Sequence, residues 1–293
     1  MSQVWLITGS SRGLGRKIAT AALEAGHQLI ATARKPEQLG DLVDRYGDRV
    51  RAVALDVTDA TAASRAVDAA VSAFGRLDVV VNNAGYANVN SFEDLPADDF
   101  RAQVETNFFG VVNVTRAAVR VMHQQRSGHI IQISSIGGRY ATPGLAAYQS
   151  AKWAVGGFSE VVARETARIG IRVTVVEPGG MRTEWAGSSM RIDDVSPDYR
   201  DTVGVVTAYM RDNDDIMRGD TDKIAQVILR IAAEPNPPVR LLLGSDAVAV
   251  AAAANAERQR VDEQWRTISL STDFDGLAPF HDTWVGQVVT ASS

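Results

Sequence analysis

The stretch that most restricts what this chain can fold into lies near its start. Val4 to Thr8 is a short apolar run of the kind that forms a buried strand. It enters Gly9-Ser10-Ser11-Arg12-Gly13-Leu14-Gly15-Arg16 before a helical pattern from Ile18 to Glu24. A glycine-rich turn between a strand and a helix lets backbone N–H groups and the helix N-terminus come close to a pyrophosphate. The spacing here is G-x-x-x-G-x-G, a departure from the more widespread G-x-G-x-x-G. Turns also select glycine for conformational freedom alone. The position of this one, after the first strand and before the first helix, is what favours binding.

The same alternation continues to residue 243. Apolar runs at His27 to Thr32, Val50 to Leu55, Leu77 to Val81, His129 to Ile133, Ile171 to Val176 and Val239 to Leu243 are separated by helical patterns. Those patterns cover 36–46, 59–74, 96–125, 145–168 and 221–233, with Thr58 or Asp59 and Thr221 or Asp222 as candidate caps. Strands alternating with helices predict an α/β fold, a parallel sheet with helices on both faces. With 293 residues and 45% hydrophobic content, one domain over 1–246 is expected. It would contain an irregular substrate loop at about 184–220. Residues 247–293 are expected to form a helical extension and tail packed on the same domain.

Several residues at strand ends are candidates for chemistry. Arg34 follows the second strand where a dinucleotide fold meets the adenosine ribose, and Arg12 in the glycine loop can reach the same place. Two guanidiniums there suit a 2′-phosphate and favour NADP over NAD; the alternative is that Arg34 and Lys35 form a solvated turn. Asp56-Val57 follows the third strand, with Asp56 placed to meet the adenine amino group. Asn82-Asn83-Ala84-Gly85 follows the fourth, and either packs against the cofactor ribose or builds a turn. Asn107 falls in the middle of the 96–125 pattern, where asparagine is a poor helix former and asks for a reason. Ser135 is offered at the C-terminal edge of the strand ending at Ile133. Tyr148 and Lys152 are four residues apart, one helical turn, so an ammonium can lie beside a phenol. A phenol ionises only near pH ~10 when unperturbed, and the adjacent charge is expected to lower that value into a working range.

Together, Thr8-Gly9-Ser10-Ser11-Arg12-Gly13-Leu14-Gly15, Asn82-Asn83-Ala84-Gly85, Asn107, Ser135, Tyr148 with Lys152, and Pro178-Gly179 with Thr183 resemble the short-chain dehydrogenase/reductase family over residues 3 to about 246. The resemblance implies a doubly wound (Rossmann) seven-stranded parallel sheet with strand order 3-2-1-4-5-6-7. It also implies hydride transfer between a nicotinamide and a carbonyl or alcohol carbon. By it, Tyr148 is the acid/base, Ser135 orients the substrate oxygen, Lys152 lowers the Tyr148 pKa and holds the nicotinamide ribose, and Asn107 supports a proton-carrying water. The cofactor-binding set it implies is Gly9, Ser11, Arg12, Gly13, Leu14, Gly15, Arg34, Asp56, Val57, Asn83, Ala84, Gly85, Tyr148, Lys152, Pro178, Gly179, Met181 and Thr183, the last holding the carboxamide. Arg12 and Arg34 match the NADP-preferring pattern, and the acidic residue of NAD-preferring members is missing at Ala33.

By their place beside these positions, Tyr86, Ile136, Arg139, Leu145, Met181, Trp185 and Met190 are expected around the nicotinamide. Mostly apolar walls suit a bulky, uncharged ketone or secondary alcohol, with Arg139 or Arg182 able instead to read an acidic group. Metal is not expected, because His27, His123, His129 and His281 are scattered. The absence of cysteine removes thiolate chemistry. A net charge of -5 without charged blocks speaks against nucleic acid or an anionic membrane as partner. The N-terminus has no basic region and long apolar run of a signal peptide, and no stretch approaches the ~20 apolar residues of a membrane span, so a cytoplasmic location is expected. The resemblance implies a homodimer or homotetramer through the helices 96–125 and 145–168. Two other readings stay open: an NADP-binding redox sensor without turnover, and epimerase or dehydratase chemistry on the same scaffold.

Overall fold

Val4, Trp5, Leu6 and Ile7 are all buried, and their alternation divides the core. Trp5 and Ile7 face one side of a sheet, packing with Ile18, Leu23, Ile224 and Ile228; Val4 and Leu6 face the other, with Val67, Val114, Ala118 and Met122. A strand apolar on both faces belongs inside a parallel sheet covered by helices on both sides. The computed structural model, which describes residues 2–181, 190–212 and 217–291, has that architecture.

In chain order its elements are β1 (Val4–Ile7), α1 (Gly13–Glu24), β2 (Gln28–Ala33), α2 (Gly40–Tyr46), β3 (Val50–Ala54), α3 (Ala60–Phe74), β4 (Val79–Asn82), β5 (Ala87–Val89), α4 (Ala97–Val104) and α5 (Gly110–Gln125). There follow β6 (Gly128–Ile133), α6 (Ala146–Thr166), β7 (Ile171–Pro178), β8 (Met190–Ile192), α7 (Val205–Asp212), α8 (Thr221–Ala233), β9 (Arg240–Leu243), α9 (Ser245–Leu270) and α10 (Trp284–Ala291). Seven strands form one parallel sheet in the order β3-β2-β1-β4-β6-β7-β9. The short strands β5 and β8 pair with each other, in parallel, outside it. With those two set aside, the order is the expected 3-2-1-4-5-6-7. The winding reverses between β1 and β4, which opens a crevice at the C-terminal strand ends.

Three local outcomes differ from the sequence expectations. The 96–125 helix is broken by a π turn at Glu105–Phe109 that separates α4 from α5. The region expected to be irregular at 184–220 contains β8 and α7 among its described residues. The N-cap of α8 is Asp220, whose carboxylate accepts from the Asp222 and Lys223 N–H groups, whereas Asp59 caps α3 as one of the two candidates did.

The chain divides into two compact units, Met1–Ala251 and Ala252–Ser293. The first carries the nine strands described. The second carries the end of α9 and all of α10, and exposes Trp265, Phe274, Phe280 and Trp284. Among the described residues no helix is long and apolar enough to cross a membrane.

Candidate active site

The glycine loop joins β1 to α1 at the reversal point. Thr8 Oγ1 accepts from the N–H groups of Asn83 and Ala84 at 2.9 Å each, and Asn83 Nδ2 donates to Thr8 O at 3.0 Å, so the loop is laced to the turn after β4. Gly13 has φ +54, a conformation that disfavours side chains, and a Cβ there would meet nothing within 4 Å. Space therefore opens directly over the start of α1. Arg12, its N-cap residue, provides no side-chain cap, and no acidic residue lies in the first turn. The leading N–H groups of α1 are left facing that space, which suits a pyrophosphate. Arg12, Arg34 (just after β2), Asp56-Val57 (after β3) and Asn83-Ala84-Gly85 (after β4) all lie at the same C-terminal rim. Asp56 accepts from the Thr58 N–H at 3.0 Å and the Thr58 hydroxyl at 2.8 Å. Arg34 is exposed, and its charge reaches Tyr86, whose phenol is pushed up by burial first and then by Asp99, with Arg34 among the opposing influences. These residues fit a dinucleotide phosphate and ribose.

Further along the rim the candidate catalytic residues converge. Ser135 follows β6 and caps the short turn Ile136–Gly138, accepting from the Gly137 N–H at 3.0 Å. Its hydroxyl is hydrogen-bonded to the Tyr148 phenol on α6. Lys152, one turn further, has Nζ 5.5 Å from the Tyr148 ring centre and donates to Ile133 O at 2.8 Å. Asn107 is wholly buried in the π turn. Its Nδ2 donates to Tyr86 O at 2.8 Å and its Oδ1 accepts from the Tyr86 N–H at 3.1 Å. That pairing explains an asparagine in mid-helix: its amide bonds a neighbouring segment, and π turns favour functional sites. A Cβ on Gly85 would strike Asn107 Oδ1 and stand 3.8 Å from Lys152 Nζ. Only a residue without a side chain keeps that space clear.

The electrostatics run opposite to the sequence expectation. The Tyr148 phenol is pushed up to about 12, because burial disfavours the phenolate by more than the Ser135 hydrogen bond favours it. The Lys152 amine is pushed down to about 8, again by burial. A lysine whose folded pKa lies below its ordinary value of 10.5 is bound to fewer protons folded than unfolded between about pH 8 and pH 10. Stability therefore rises with pH over that window. In denaturant melts, wild type should gain stability from pH 8 to pH 10 relative to Lys152→Met; parallel slopes would show that the amine is not held in this way.

The walls of the site are apolar. Tyr148 packs in one cluster with Ala87, Val89, Leu145 and Met190, and Ile192 and Met210 pack against it. Leu145 and Met190 were expected here. Ala87, Val89 and Ile192 were not, since β5 and β8 are only three residues long and pair across a hundred positions, and neither was Met210 on α7. Polar contacts hold residues 190–199 to 91–99: Tyr199 Oη donates to Glu93 Oε2 at 2.7 Å, and Arg191 pairs with Asp99. Ile136 lies in the turn after Ser135, Pro178 ends β7, and Gly179 and Met181 follow it. Gly179 and Gly180 are tied down by the Leu243 carbonyl at 2.9 Å and the Asp246 carboxylate at 2.8 Å.

Arg139, expected at the substrate, binds the wholly buried Glu177 through its Nε and Nη2 at 2.8 and 2.7 Å, and Arg240 takes the other carboxylate oxygen at 2.7 Å. A buried carboxylate needs such partners, which gives Arg139 a part in the scaffold. Thr183, Trp185 and Arg182 lie outside the described residues.

The family model described as short chain dehydrogenase matches residues 3–192. An oxidoreductase of Botryotinia fuckeliana, BOA17, is 54% identical over 273 residues, covering 93% of this chain and 100% of the relative. The crystal structure of a short-chain dehydrogenase from Streptomyces avermitilis superposes with a TM-score of 0.87 at 37% identity, covering 94% of this chain and 100% of that one. A short chain dehydrogenase from Burkholderia cenocepacia in complex with NADP gives a TM-score of 0.69 at 26% identity, with 90% and 97% covered.

Proposed function

Because the chain belongs to the short-chain dehydrogenase family, we propose that it is an NADP(H)-dependent oxidoreductase interconverting a bulky, uncharged ketone and its secondary alcohol. The observation that carries this reading is the Tyr148 phenol, hydrogen-bonded to Ser135 and one turn from Lys152, within an apolar cluster at the sheet's C-terminal rim. Bound NADP(H) supplies or accepts the hydride. Tyr148 gives its proton to the substrate oxygen during reduction and takes it back during oxidation, while the Ser135 hydroxyl donates to the oxygen as charge develops on it. A phenol held protonated at neutral pH prepares the resting site for reduction. Lys152 binds the nicotinamide ribose, and Asn107 supports the water that restores the proton. The glycine loop and the start of α1 hold the pyrophosphate, with Arg12 and Arg34 at the 2′-phosphate. The NADP-bound relative from Burkholderia cenocepacia supports that choice of cofactor.

An uncharged substrate is favoured because Arg139 is already engaged with Glu177 and the residues around Tyr148 are apolar. Assembly into a dimer or tetramer through α4, α5 and α6 belongs to the same reading; Phe109, Trp153 and Val161 stand exposed there, and a monomeric mass by light scattering would remove it.

The test is a ketone screen run in parallel with NADPH and NADH. NADPH should be preferred, and turnover confined to carboxylated or thioester substrates would overturn the reading. Arg34→Ala should erode the preference by about tenfold to a hundredfold, the worth of one charge-assisted phosphate contact. Unchanged cofactor selectivity in that variant would place the phosphate elsewhere.

A further inference from the structure

Two side-chain amides, four residues apart on one helical surface, take the place of a neighbouring strand along β5. Asn107 meets Tyr86 through both its amide atoms, and Gln103 Oε1 accepts from the Asn88 N–H at 2.9 Å. Alternate backbone N–H groups of an extended segment point the same way, so Tyr86 and Asn88 present one edge to the helix, while β8 pairs with the other edge. The two residues are also joined, since Asn107 Nδ2 donates to the Gln103 backbone carbonyl at 2.9 Å. Gln103 is wholly buried, and its Nε2 has no hydrogen-bond partner among the described residues. A buried, unpaired N–H is a cost that an apolar side chain of the same size avoids, which points to Oε1 as the reason for glutamine here.

We infer that Gln103 is a positioning residue for the reaction: through the Asn88 N–H it sets the place of β5, the wall carrying Ala87 and Val89, relative to the Tyr148 phenol and to Asn107. It does not touch substrate. The inference rests on the function proposed above. Ala87 and Val89 belong to the Tyr148 cluster, so loss of this anchor changes the room beside the phenol and leaves the dinucleotide rim alone. Large substrates should notice this and small ones should not.

The test compares wild type, Gln103→Met and Gln103→Glu, each loaded with NADPH, on decalone and cyclohexanone. Gln103→Met removes the acceptor at similar volume; its KM for decalone should rise about tenfold, the scale of one lost hydrogen bond, with KM for cyclohexanone and NADPH affinity unchanged within about twofold. Gln103→Glu keeps an acceptor and should recover the wild-type size preference. Amide hydrogen exchange of the NADPH complex should be faster at residues 86–90 in Gln103→Met and unchanged in β6.

An unaltered ratio of the two KM values in Gln103→Met, or loss of size preference in Gln103→Glu as well, overturns the inference. If Gln103→Met does not fold, the Gln103→Glu comparison and the wild-type protection of the Asn88 amide still decide it. Failure of the underlying function is recognised separately, by turnover that survives Tyr148→Phe or by wild type reducing no ketone. In that case the exchange pattern alone judges whether Gln103 anchors β5.

Discussion

Tyr148→Phe lowers kcat by about a thousandfold while leaving NADPH affinity within about twofold of wild type. The substitution removes one oxygen and keeps the ring that packs with Ala87, Val89, Leu145 and Met190, so the apolar cluster survives. What is lost is the proton donor, and positioned acid/base groups are worth about 10²–10⁴ in rate. The Ser135 hydroxyl loses its phenol partner at the same time, but it keeps the Gly137 N–H at 3.0 Å and can still donate to a substrate oxygen. That residual donor sets the floor of activity. Steady-state rates with NADPH and cofactor titration by fluorescence quenching read the two quantities separately. A kcat within tenfold of wild type would mean that another group delivers the proton.

Glu177→Leu should cost about 3 kcal/mol of stability, the lower end for one partner removed from a buried ion pair. Glu177 is wholly buried, whereas the side chains of Arg139 and Arg240 retain 22% and 21% exposure and can recover some hydration once the carboxylate is gone. At ~2–4 °C per kcal/mol for a domain of this size, the melting temperature falls by roughly 6–12 °C. Activity should fall as well, because Glu177 is the residue before Pro178 and Arg139 closes the short turn that begins at Ser135. Calorimetry checks the first effect. A fall of less than about 2 °C would show that the two arginines are satisfied by water or other partners once Glu177 is removed.

Much of this was legible from residue order, for a physical reason. Strands buried on both faces read as unbroken apolar runs, and the places where they end, at Thr8, Ala33, Asn82, Ser134 and Pro178, mark the rim where the candidate residues meet. Tyr148 and Lys152 needed only the helical period. Contacts between segments distant in sequence were not legible. The partner of Arg139 lies 38 positions away, and no period connects them. β5 and β8 are too short to display an alternation of their own, yet they shape the wall beside the phenol. The direction of the Tyr148 shift depends on the total burial around it, which a one-turn spacing to Lys152 does not report. The π turn was hidden for a different reason: apolar residues occur on both sides of it at helical intervals, so the pattern looks continuous.

The wide turn at Glu105–Phe109 also has a consequence for how this chain can change over generations. An α-helix advances about 100° per residue, so one additional residue turns everything after it by that angle. Excising a single codon there would give a smoother and intrinsically more favourable rod, but the surface of α5 that meets the sheet would swing away from Val80 and Ile130. Apart from that of Asn107, whose amide is bonded to Tyr86, codons can be exchanged along this stretch so long as their number is preserved, which makes its length a more conservative character than most of its letters.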